Sequence, residues 1–200
     1  MNTVTDPWCL LLQANRFAAY KHRHQRRKDR EAAPYINHPI DVAATLCEIG
    51  QVRDALTLAG ALLHDTLEDT ETTPEELEAT FGMAVRHLVE EVTDDRQLPR
   101  EDRKRLQISQ APAKSYRARL IKLADKICNV RDALESPPPI WSQQKKQQYI
   151  EHAGEVVAAL RGTSPALEHV FDALYTRALE QFAPTYPLDG SRLRQHSARR

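Results

Sequence analysis

Apolar positions along this chain recur at intervals of three and four, and no stretch shows the strict alternation of a half-buried strand. The clearest run is Leu120, Leu123, Ala124, Ile127, Val130 and Leu134, which predicts a helix over about 117–134 with one buried face. Asp6-Pro7 predicts the start of a first helix carrying Trp8, Leu11, Leu12 and Phe17, with the acid as cap and the proline in the first turn. A second helix opens at Asn37-His38-Pro39 and stops at Gly50, read as a C-terminal cap. Thr73-Pro74-Glu75-Glu76 has the form of a capping box, and Gly82 closes the short helix it begins. Helical spacing also covers about 85–92, 102–109, 142–160 and 165–181. Pro137-Pro138-Pro139 cannot be helical and reads as a stiff connector. The expectation is an all-α bundle forming one domain over 1–183, followed by a polar, basic tail over 184–200 that lacks periodicity and frays.

Chemistry interrupts this pattern in Leu62-Leu63-His64-Asp65-Thr66-Leu67-Glu68-Asp69-Thr70. If the helix continues, His64 stands over Glu68 and Asp65 over Asp69, so a ligand pair lies one turn from a pair of acids. From Asp54 to Val85 there is no Lys or Arg, yet the stretch holds Asp65, Glu68, Asp69, Glu71, Glu75, Glu76 and Glu78. Carboxylates at that density call for a cation, although Glu75, Glu76 and Glu78 read as ordinary first-turn and surface acids. Asp125 sits beside the buried face of its helix, where an acid needs a cation or donors. Lys122, Asn129 and Arg131 offer a purely structural network; a metal is the better partner. His38, His64, Asp65 and Asp125 together read as one metal site. Two imidazoles and two carboxylates without cysteine suit Mn, Fe or Zn with positions left for water, which points to hydrolysis.

With 200 residues and 41% hydrophobic content, the chain can bury one ordinary core. Lys plus Arg and Asp plus Glu are each 28, which argues against a general nucleic-acid binder. The start is too polar for a signal peptide and no apolar run is long enough to span a bilayer, so a cytoplasmic protein without membrane contact is expected. Cys9, Cys47 and Cys128 are read as free thiols. The basic segment from Lys21 to Arg30 fits phosphate, a solvated loop or an acidic or nucleic-acid partner. His22 and His24 within it read as solvent-facing, and His87, His152 and His169 lack spaced partners, so none of the five is assigned chemistry.

Tyr35-Ile36-Asn37-His38-Pro39, the 62–70 segment, Glu90-Glu91-Val92-Thr93-Asp94-Asp95, and Lys122 to Lys126 with Asn129 and Arg131-Asp132 resemble the HD-type hydrolase module of RelA/SpoT alarmone enzymes, and most of all its stand-alone small hydrolases of the Mesh1 type. The resemblance runs from about Leu10 to Leu179. It implies an HD-type bundle and one Mn²⁺, with Zn²⁺ or Fe²⁺ as alternatives, held by His38, His64, Asp65 and Asp125. It also implies Glu68 and Asp69 as the catalytic pair that orients or deprotonates water, and Arg27 and Lys28 on substrate phosphates. Asn129 is implied to help hold the ribose or phosphate, and Lys145 and Tyr149 to line the nucleotide pocket. The implied activity is hydrolysis of ppGpp and pppGpp to GDP or GTP and pyrophosphate. NADPH 2′-phosphatase action, a general HD-type nucleotidase and a degenerate nucleotide- or protein-binding module are the alternatives, with ppApp a further substrate and the chain a monomer or homodimer. Asp132 departs from the Thr common in the long enzymes, so a hydroxyl contact there does not transfer. Their synthetase domain has no room within this length.

Overall fold

The computed structural model describes residues 6–183; the tail expected over 184–200 lies outside the described residues. The chain folds as α1 (Pro7–Lys21), α2 (Asn37–Glu48), α3 (Ala55–Leu63), α4 (Thr66–Asp69), α5 (Pro74–Phe81), α6 (Met83–Val92), α7 (Arg100–Gln110), α8 (Tyr116–Glu135), α9 (Gln143–Ala159) and α10 (Pro165–Phe182), with a 3₁₀ turn at Ala111–Ala113. No strand forms among the described residues; the nearest feature is a single antiparallel bridge between Arg26 and Pro34. The all-α expectation holds, and most helix ends fall within a few residues of the hydrophobic spacing.

Local chemistry explains those ends. The Asp6 carboxylate accepts from the Trp8 and Cys9 amides, and the Ser115 and Ser142 hydroxyls cap α8 and α9 in the same way. At Thr73 only half of the expected box forms: its hydroxyl accepts from the Glu76 amide, while the Glu76 carboxylate leaves for Lys21 at 2.7 Å. Gly82 does close α5, with φ 87°. Gly50 is not the left-handed cap expected of it. That conformation falls on Gln51, at φ 52°, and Gly50 is required for closeness: a Cβ there would stand 2.8 Å from the Leu46 carbonyl.

Helices α3 and α8 are the two axes of the bundle. α3 is buried from Thr57 to Leu63 and packs against α1, α2, α6 and α8, while α8 packs against α2, α6, α9 and α10. The main core joins Val42, Leu46, Ile121, Ile127, Ile150 and Phe171; a smaller one under α1 and α5 holds Ala14, Ala18, Leu63 and Leu77. On α1 the apolar stripe is only partly used, because Trp8 and Leu12 are exposed. The adjoining starts of α2 and α4 and the middle of α8 meet where these axes approach, and that junction carries the polar residues.

Candidate metal centre and its pocket

Helix does not run unbroken through the 62–70 segment: α3 stops at Leu63 and α4 starts at Thr66. The His64 ring takes the Ala61 carbonyl at 2.8 Å and the Thr66 hydroxyl takes that of Leu63 at 2.6 Å. A continuous helix would use both carbonyls for its own amides, so these side chains compete with the backbone and turn the chain. The turn still delivers both side chains to one place, with His64 Nε2 3.1 Å from Asp65 Oδ1. From α2, His38 Nε2 lies 3.2 Å from Asp125 Oδ1 and 3.9 Å from Asp65 Oδ2. From α8, Asp125 Oδ1 lies 3.9 Å from His64 Nε2. All four residues predicted as metal ligands thus converge, and His38, His64 and Asp65 place their ligand atoms within 4.8 Å of one another.

Two observations fit this set to a divalent cation. His64 donates from Nδ1 to the Ala61 carbonyl, which fixes its tautomer and turns the Nε2 lone pair inward, and that buried nitrogen has no hydrogen-bond partner among the described residues. The charges are equally unbalanced. Burial alone would lower His64, but Asp65 and Asp125 lift it to about 9. Burial would raise Asp65, yet His64 and His38 hold its carboxyl far below the usual range. Asp125 is held well down against the same burial by Lys126 and His38. A proton on His64 thus stands where a metal ion would draw on the Nε2 lone pair.

Of the three neighbours the sequence offered Asp125, only Asn129 reaches it. Asn129 donates to Oδ1 at 2.6 Å and Lys126 reaches Oδ2 at 3.1 Å. Lys122 turns instead to Asp94, at 3.7 Å, and Arg131 to the Thr45 hydroxyl and Cys128 thiol. Glu68 accepts from the Asp94 amide at 3.3 Å and has its carboxyl raised, by burial first and by Asp94 next. Asp69 is paired with Arg96 and contacts the Tyr35 hydroxyl. The acid-rich stretch is therefore answered in part by protein cations, Lys21, Arg86 and Arg96.

Beside the centre opens a cavity of about 690 Å³, walled by Arg27, Lys28, Tyr35, His38, Asp69, Arg96, Asn129, Trp141 and Tyr149 among others. Arg27, Lys28, Asn129 and Tyr149 all line it, and Arg27 is already tied to Asp132. Lys145 does not line the cavity; its ammonium lies 5.9 Å from the ring of Trp141, which occupies the wall. His24 is exposed as expected, whereas His22 is buried, 1% exposed, against Tyr35. Sequence reasoning gave no role to Tyr35, Gln25, Arg96, Lys126 or Trp141. Tyr35 and Lys126 were within sight, inside the motifs that carry His38 and Asp125; nothing local marks the others.

A model of the HD domain matches residues 14–148. The chain belongs to the HD-domain family. It is 53% identical over 166 residues to the guanosine-3′,5′-bis(diphosphate) 3′-pyrophosphohydrolase MESH1 of Xenopus tropicalis, covering 83% of this chain and 93% of the relative. The human protein of the same name is 53% identical over 165 residues, covering 82% and 92%. A solved structure, described as a metazoan ortholog of SpoT that hydrolyzes ppGpp and plays a role in starvation responses, superposes with a TM-score of 0.84 at 44% identity, covering 87% of this chain and 98% of that one. Likeness at this coverage extends over both the HD bundle and the α8–α9 wall of the cavity.

Proposed function

We propose that this HD-domain protein hydrolyses the 3′-diphosphate of guanosine alarmones, ppGpp and pppGpp, releasing pyrophosphate and GDP or GTP with Mn²⁺ as its metal. The observation that carries this reading is the convergence of two buried imidazoles and two carboxylates beside a cavity lined by Arg27 and Lys28. The activity named for MESH1 relatives at 53% identity supports the same substrate class.

His38, His64, Asp65 and Asp125 would hold the ion. Bound there, it would supply Lewis acidity and lower the pKa of a water. Glu68 is the base in this reading, because burial and Asp94 raise its carboxyl and so strengthen its hold on a proton taken from water. Asp69, on the cavity wall, orients that water. Arg27 and Lys28 neutralise phosphate charge, with Arg27 exchanging Asp132 for substrate. Asn129 keeps Asp125 in place through its 2.6 Å bond, and Tyr149 and Trp141 give the nucleoside an aromatic wall. Lys145 acts from behind Trp141 in this arrangement.

Protein loaded with Mn²⁺ and assayed side by side on ppGpp, pppGpp, ppApp and NADPH tests the reading. Pyrophosphate release from ppGpp and pppGpp is the expected result. Orthophosphate release from NADPH with no turnover of the alarmones would replace it with a 2′-phosphatase.

A further inference from the structure

The metal centre and the acid pair beside it are spanned by one hydroxyl. Tyr35 Oη lies 2.7 Å from Asp65 Oδ2 and 3.1 Å from Asp69 Oδ2. A phenol has one proton, so it is shared between two carboxylates that would otherwise repel each other. Burial, reinforced by Asp65, keeps the phenol protonated. Its ring cannot drift: His22 packs on one side at 4.9 Å, His38 stands edge-on at 6.2 Å, and the Arg27 guanidinium lies 5.6 Å from its centre.

The same turn is held from its backbone. Gln25 donates its side-chain amide to the Asp69 carbonyl, accepts from His22 Nδ1 at 2.6 Å, and accepts the Tyr35 amide on its own carbonyl at 3.2 Å. This arrangement fixes the amide orientation of Gln25 and leaves His22 with its proton on Nδ1. Asp69 is gripped at its carbonyl by Gln25 and at Oδ2 by Tyr35, while Arg96, 57% exposed on its side chain, takes the other oxygen. Exposed ion pairs hold geometry poorly, so the half-buried contacts to Gln25 and Tyr35 set the position.

We propose that Tyr35 is a positioning residue that fixes the Asp65 and Asp69 carboxylates relative to one another, with Gln25 clamping the same turn. The role rests on the reading of Asp65 as a ligand and Asp69 as a group that orients water. It places the orientation of both under the loop between α1 and α2, the loop that also carries Arg27 and Lys28.

Tyr35→Phe keeps the ring and removes the hydroxyl. In the full chain, kcat on ppGpp should fall about 10- to 100-fold with KM changed less than about threefold, and the Kd for MnCl₂ by isothermal titration should rise about tenfold. In an Asp69→Asn background the kcat penalty of Tyr35→Phe should shrink to about twofold or less, since a residue acting through Asp69 has little left to act on. Wild-type kcat with unchanged MnCl₂ affinity, or a penalty that is fully additive with Asp69→Asn, overturns the proposal. Circular dichroism reports whether Tyr35→Phe folds. If it does not, Gln25→Met decides in its place: a severalfold loss of kcat at constant KM is expected, and no loss counts against the clamp. Wild-type protein that binds MnCl₂ but releases no pyrophosphate from ppGpp would sink the activity reading alone, and the MnCl₂ titrations would still decide the role of Tyr35 at Asp65.

Discussion

At His64 the backbone and the chemistry meet, because the ring nitrogen that turns the chain at Ala61 also fixes which nitrogen faces Asp65. His64→Ala should therefore abolish metal binding and turnover while leaving helical content intact, since each of about four protein ligands is needed to hold the ion. Glu68→Gln should behave differently, retaining the metal while kcat falls about 10²-fold, the range for a general base. Metal analysis beside steady-state kinetics checks both, and a folded His64→Ala protein with full metal content would reject the ligand assignment. The four candidate ligands were legible in the sequence because a dense run of acids without Lys or Arg, and an acid beside an apolar face, call for a cation. Tyr35, Gln25 and His22 were not. Their roles come from the loop folding back on itself through the Tyr35 amide and Gln25 carbonyl, and from a buried ring stack that a run of basic residues conceals. His22 read as solvated for that reason.

Among the elements, the helix ends near Gly50 and Leu63 carry the lesson. Hydrophobic spacing located α1, α2, α5, α6 and α8 to α10 because each buries one face, and spacing records burial directly, whereas α7 was found at about 102–109 although none of its residues is fully buried. It could not locate the break at His64-Asp65, where two side chains take carbonyls from the helix. Nor could it distinguish a glycine needed for positive φ from one needed for contact. At Gly50 the distinction is testable. Gly50→Ala would relieve backbone entropy by about 0.4–1 kcal/mol if only conformation mattered. A Cβ 2.8 Å from the Leu46 carbonyl and 3.2 Å from Leu167 Cδ1 instead demands movement of backbone that also accepts the Val52 amide. Overpacking of this kind costs about 1–3 kcal/mol, so net destabilisation is expected, read as a lower urea midpoint. A raised midpoint would mean that the neighbours absorb the Cβ and that Gly50 is not needed for closeness.

On the scale of the whole molecule, formal charge sums to zero, yet the stretch without cations between Asp54 and Val85 is answered by Lys21, Arg86 and Arg96 from before and after it. Stability is thus tied to ionisation across the fold, and one group away from the metal ligands shows its sign clearly. His152, on α9, donates from Nε2 to Gln107 on α7 at 3.0 Å and is lowered to about 4 by burial, with Lys126 and Lys104 adding to the effect. Its ordinary value is 6.5, so between pH 6.5 and 4 the unfolded chain binds more protons than the folded one. The neutral ring therefore contributes stability that is complete above about pH 6.5 and is lost as the pH falls toward 4. Its side chain is only 15% exposed, so solvent screening removes little of this. Glutamine at this position keeps a donor for Gln107 and has no proton to gain. Urea unfolding of wild type and His152→Gln at pH 7.5 and pH 5 should show the variant gaining about 2 kcal/mol on wild type at the lower pH, as the linkage relation requires for that pKa difference. Parallel stability curves would mean that His152 titrates normally in the fold and that acid sensitivity arises at the carboxylates instead.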